Sequence, residues 1–189
     1  MSFIELFLLS IGLAMDTFAV GICIGLTLPK ITIKKALTVG FYFGVFQAAM
    51  PVIGYFAATL FAERVTAYSH WVAFGLLGFI GIKMVIDSFK KDEACGQEQS
   101  LKPSQMLPLA IATSIDALAV GVSFAFLEVQ IIPAVSLIGI TTLTLSIIGL
   151  KIGNLFGARF KKQAQVFGGF ILIMIGLKIL LEGLEVLTL

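Results

Sequence analysis

Six times the chain runs for about twenty residues with almost no charge, over roughly 3–27, 36–60, 70–89, 106–127, 131–152 and 164–187. A helix needs about 20 consecutive apolar residues to cross the hydrocarbon core of a bilayer. The expected fold is therefore an all-α integral membrane protein with six transmembrane helices. Composition agrees: 59% of the 189 residues are hydrophobic and 13% are charged, where soluble domains carry about 25% charged residues.

The breaks between runs are polar or marked by proline. They fall at Pro29 to Lys35, Glu63 to Ser69, Lys90 to Pro103, Glu128 to Gln130 and Arg159 to Gln163. Lysine and arginine gather on one side. Lys30, Lys34 and Lys35 lie between the first two runs, Lys90, Lys91 and Lys102 between the third and fourth, and Arg159, Lys161 and Lys162 between the last two. The opposite side has Arg64. By the positive-inside rule these odd-to-even loops are cytoplasmic and both termini face outward. The N-terminus has no basic region before its apolar run, so it reads as a retained helix and not a signal peptide. Cys23 lies in the first apolar run and Cys95 in the polar middle loop, so no disulfide between them is expected.

The chain reads as an internal duplication. Ser10–Gly25 aligns with Ala110–Ala125 at an offset of one hundred. Beyond that the offset is ninety-five, matching Gly44, Gly54, Leu60, Phe61 and Arg64 with Gly139, Gly149, Leu155, Phe156 and Arg159. In the third helices, Gly81–Asp87 matches Gly176–Glu182. The expected organisation is a first three-helix repeat at 1–89, a cytoplasmic linker at 90–105 and a second repeat at 106–189. An odd number of helices per repeat makes the two halves inverted in the membrane. Secondary transporters are commonly built this way, with their sites near the midplane between the repeats.

The repeat also doubles one unusual residue. Asp16 and Asp116 each stand near the middle of an apolar run, within Met15–Gly21 and Ile115–Gly121. A carboxylate there costs roughly 2.5–3.5 kcal/mol on insertion scales and marks function by default. On the helix face of Asp116 lie Thr113 and Ser123, and on that of Asp16 lies Cys23. Two carboxylates with hydroxyls form a hard oxygen site suited to Mg²⁺, Mn²⁺ or Ca²⁺. They also neutralise one divalent ion. Met15 is a candidate softer ligand, although methionine in a membrane helix is also ordinary packing. Gln47, close to Pro51, and Thr142 lie near mid-depth in helices 2 and 5, as a polar path or as interhelical glue. Lys83 with Asp87, and Lys178 with Glu182, stand four residues apart near opposite membrane faces. They read as snorkelling pairs, or as related gates.

These residues carry a family resemblance. The six-helix plan, the early MDxFA-type motif, the IATSIDALAVG stretch at Ile111–Gly121, the His70-Trp71 pair and the length resemble the bacterial manganese efflux pumps of the MntP family, grouped with the LysE superfamily of exporters. The resemblance covers nearly the whole chain. It implies a multi-pass protein of the bacterial cytoplasmic (inner) membrane that exports Mn²⁺, with Asp16 and Asp116 as site residues. Some members carry an acid in helix 2, where this chain has Gln47. Mn²⁺ is then the substrate and not a resident cofactor, and no nucleic-acid partner is expected.

An ionised aspartate at mid-membrane without metal is costly. The empty pair is therefore expected to hold one or two protons and to exchange them for metal, which makes Mn²⁺/H⁺ antiport the expected mechanism. Three rivals remain open, one of them a structural or assembly protein, which would require neither acid. A LysE-like amino-acid exporter would need a cationic group for its substrate's carboxylate, and helices 1 and 4 supply none. An intramembrane aspartyl protease would carry a GxGD signature, which is missing at Leu13–Asp16 and Ser114–Asp116. A transporter, not an enzyme, is expected.

Overall fold

The structure, a computed structural model, describes residues 1–60, 69–89 and 101–184. Arg64, the stretch 90–100 with Cys95, and the last residues of the sixth run lie outside the described residues. Among the described residues there are six α-helices and no strand. They are α1 (Phe3–Thr27), α2 (Ile33–Thr59), α3 (Ser69–Asp87), α4 (Pro103–Phe126), α5 (Ile131–Phe156) and α6 (Lys161–Gly183). All six contain a window long and apolar enough to cross a membrane.

Local chemistry sets the helix ends. Ser2 and Glu5 form a capping box at the start of α1: the Glu5 backbone N–H donates to the Ser2 hydroxyl, and the Ser2 backbone N–H to the Glu5 carboxylate. The Thr32 side chain caps α2, and Pro103 opens α4, where its missing N–H costs nothing. The expected break at Arg159–Gln163 lies earlier. Helix α5 runs on to Phe156 and stops at Gly157, whose φ of 73° suits a residue without a Cβ. After one 3-10 turn, Lys161 and Lys162 are already helical. Long basic side chains can leave a helix end for the interface, so their charge does not end the helix.

The two halves are interlocked. Helix α1 packs on α5 and α6, α2 on α4 and α5, and α3 on α6 and α4. Glycines let backbones touch where α1 crosses α5 and where α4 crosses α2. A Cβ at Gly21 would meet the Ser146 carbonyl, and one at Gly121 the Pro51 carbonyl. A Cβ at Gly149 would meet the Phe18 carbonyl, and one at Gly54 the Leu118 carbonyl. Small residues drive such crossings in lipid, where association rests on van der Waals packing. Outward, Phe41, Phe56, Phe79 and Phe170 are each more than half exposed. So apolar a surface suits lipid tails and would be an association hazard in water.

Cys23 corrects the cysteine reading, because it is disulfide-bonded. It belongs to an apolar run but sits one turn from the end of α1.

Candidate metal site

Asp116 on α4 is buried, and its Oδ1 accepts a hydrogen bond from the Lys83 ammonium of α3 at 2.9 Å. The Asp116 side chain is 11% exposed and that of Lys83 43%, so the acid is enclosed and the lysine reaches in from a wetter position. The ammonium thus reaches Asp116, a partner that the four-residue spacing to Asp87 does not show, while Asp87 also lies within electrostatic reach of Lys83. The reason is energetic: an enclosed carboxylate gains more from a charge-assisted hydrogen bond than a headgroup-level ammonium does from water.

Asp16 on α1 is half-buried. Asp116, Lys83, Asp87 and the Gln165 side chain of α6 are within electrostatic reach of it. Lys161, one turn before Gln165, adds a further positive charge nearby. The two aspartates thus face one charged cluster built from α1, α3, α4 and α6. Neither Gln165 nor the Lys83–Asp116 pair was foreseen from the sequence. The available signal was a polar residue inside an otherwise apolar helix.

Gln47 is fully buried between the two aspartate helices. Its Nε2 donates to the Leu13 carbonyl of α1 at 3.5 Å, and its Oε1 accepts from the Ser114 hydroxyl of α4 at 2.9 Å. It ties α1 to α4 within a turn of both acids. Thr142 on α5, ninety-five positions along the chain, is also fully buried, but its hydroxyl has no hydrogen-bond partner. A lone buried hydroxyl is a cost, and one that a passing cation or water would relieve. Thr113 donates to the Leu109 and Ala110 carbonyls, and Ser123 to the Ala119 carbonyl. Each hydroxyl spends its proton on its own helix and keeps oxygen lone pairs for an electron-poor partner. Met15 packs against Gly168 and lines an apolar cavity with Phe18, Ile152 and Phe167.

Near the C-terminal end of α6, Lys178 bonds Glu182 at 3.3 Å, as the four-residue spacing predicts. It also bonds Glu5 of α1, a partner the spacing did not reveal. Among the described residues no group of three or more His, Cys, Asp or Glu side chains is arranged to hold a metal ion. What the cluster offers is two carboxylates supplemented by neutral oxygens.

Six long apolar helices with paired charges among them define a multi-pass membrane protein. A family profile described as "Putative manganese efflux pump" matches residues 30–180. Proteins called "Putative manganese efflux pump MntP" are similar over nearly their whole length. The one from Acetivibrio thermocellus is 50% identical over 188 residues, covering 100% of this chain and 95% of its own. The one from Desulfitobacterium hafniense is 51% identical, covering 96% and 95%, and that from Bifidobacterium adolescentis is 50% identical, covering 96% and 97%. The chain belongs to the MntP family. No solved structure matches it.

Proposed function

We propose that this protein is a transporter that exports Mn²⁺ across the cytoplasmic membrane, by proton antiport through a site containing Asp16 and Asp116. The observation that carries this reading is the approach of the two aspartates, from helices a hundred residues apart, into one charged cluster. The names of the relatives support Mn²⁺ as the cargo. The polar hydroxyls of Thr113, Ser123 and Thr142 are secondary oxygen donors. The halves act as inverted three-helix repeats, with both termini outside. The matched packing of α1 on α5 with α4 on α2 supports this arrangement.

The ion pair revises the charge count. Two bare carboxylates would exchange up to about two protons for one metal. Asp116 already has a counter-ion in Lys83, which leaves Asp16 to be neutralised by a proton. Export of one Mn²⁺ then returns about one proton by this route.

One observation favours a second reading. Lys83 beside Asp116 is the cationic group an amino-acid exporter would need, and the sequence alone gave no sign of it. The test is flux in proteoliposomes across a panel of divalent ions and amino acids, with a pH dye inside and the membrane potential clamped. Mn²⁺ flux with counter-moving protons, lost in Asp16→Asn and Asp116→Asn, is expected. Amino-acid flux without metal flux would replace the metal reading. Mn²⁺ flux indifferent to a collapsed pH gradient would remove the proton coupling alone.

A further inference from the structure

Two groups of helices are each self-consistent under the repeat, but their relation to one another is not. Gly21 meets Ser146 as Gly121 meets Pro51, and Gly149 meets Phe18 as Gly54 meets Leu118. Each pair maps onto its mate at the offsets seen in the sequence, so α1, α2, α4 and α5 form a frame with equivalent halves. The α3–α6 pair behaves the same way, with Gly81 against Gly169 and Gly176 against Phe74.

Between the pair and the frame the equivalence fails. Helix α6 lies on α1 with Lys178 at Glu5 and Gly168 at Gly12. An equivalent seat of α3 on α4 would put Lys83 at Gln105 and Ala73 at Ala112. Lys83 is instead on Asp116, about eleven residues further along α4, or ~16 Å at 1.5 Å per residue. The wider packing agrees, since Ala73, Leu77 and Ile80 share one core cluster with Ala117, Val120 and Phe124.

We infer that Lys83 and Lys178 are tethered counter-ions that take turns on the two intramembrane carboxylates: Lys83 holds Asp116 in this conformation, and Lys178 takes Asp16 after the α3–α6 pair slides by about 16 Å along α1 and α4. The inference rests on the metal-site reading for its trigger. A divalent cation arriving at both aspartates displaces the Lys83 ammonium and so releases the contact that seats α3 on α4. The slide then brings Lys178 from Glu5 to Asp16, where its charge competes the metal away. The repeat also shows why this conformation is the resting one. Glu5 offers Lys178 a carboxylate at the outer end of α1, whereas the equivalent position on α4 is the neutral Gln105. Here both lysines sit on carboxylates. After the slide Lys83 would face an amide.

The test is cysteine cross-linking in the full chain in membrane vesicles. Leu76→Cys and Ala112→Cys are the repeat equivalents of Ile171 and Gly12, which touch now. In the present conformation they stand about 16 Å apart along the helices. Cross-linking, read by mass spectrometry of the joined peptides, is expected to be slow without metal. It should rise several-fold with Mn²⁺, and rise without metal in Gln105→Glu, which gives Lys83 a carboxylate at the far seat. No cross-link under either condition, in protein shown to bind Mn²⁺, overturns the slide. Cross-linking driven by Gln105→Glu in protein that binds no Mn²⁺ would keep the exchange and sink the metal reading instead. The lysine role has its own readout. Lys83→Met should bind Mn²⁺ about tenfold more tightly, the factor one charge-assisted hydrogen bond is worth, yet turn over more slowly. Unchanged or weaker Mn²⁺ binding in this variant would mean Lys83 does not compete with metal, and would overturn that role.

Discussion

Replacing Gly21 by alanine tests the backbone contact between α1 and α5. The new Cβ would lie 2.8 Å from the Ser146 carbonyl oxygen and 3.2 Å from the Leu150 amide nitrogen. Both are backbone atoms, so no side chain can turn away. A relaxed carbon–oxygen contact needs about 3.3–3.6 Å, so the helices must separate by roughly 0.5–0.8 Å. A gap of that size forfeits about a quarter to a half of the attraction between facing atoms. Lipid offers no hydrophobic term to offset the loss. Gly78 on α3 is the control, because nothing lies within 4 Å of a Cβ built there. Both substitutions gain the same helix propensity, about 1 kcal/mol. Their difference isolates the overpacking cost, about 1–3 kcal/mol. In a thermal ramp of detergent-purified protein, read as the monodisperse fraction on size exclusion, Gly21→Ala should melt below Gly78→Ala. At about 2–4 °C per kcal/mol for a chain of this size, the gap is several degrees. Equal midpoints would show that the crossing does not depend on backbone contact.

Other outcomes follow from the ion pairs and the buried polar groups. Asp116→Asn should lower the thermal midpoint more than Asp16→Asn, because it leaves Lys83 facing an amide; adding Lys83→Met should recover part of the loss, as a double-mutant cycle would show. Thr142→Val removes an unpartnered buried hydroxyl, so stability should hold or rise while Mn²⁺ affinity falls. Export at the wild-type level would exclude Thr142 from the path. Cys23 should resist a thiol reagent until the protein is reduced, as peptide mass spectrometry would report. A single cysteine at Gln130 should be labelled from outside and one at Lys30 from the cytoplasm; labelling of both from one face would contradict the topology.

The spans were legible because a bilayer imposes a length on every helix, and each apolar run became one. The aspartates were legible because an acid inside such a run stands out. Partner choice was not. Lys83 looked like a residue bound for the headgroups because sequence spacing shows Asp87 and hides Asp116, which chain folding brings to it from 33 positions away. Glu5 was hidden for the same reason: its contact with Lys178 spans 173 positions. Gln165 carried no motif at all. Membership of an apolar run does not give depth: Cys23 is disulfide-bonded and stands near the end of α1.

The interlocked halves have a consequence for how the protein is made. Helices α1, α2 and α3 find their main partners among α4, α5 and α6. The first three therefore leave the ribosome before anything they pack on exists. At about 5–20 residues per second, several seconds pass before the last helix arrives. Through that interval the glycine faces of α1 and α2 are open to lipid and to any other nascent helix with a small-residue stripe. The insertion machinery must hold these helices apart from strangers until their partners are delivered. A chain terminated in the middle loop is thus three helices with nothing to bind, a substrate for membrane proteases. The same two pieces translated side by side in one cell can still find each other.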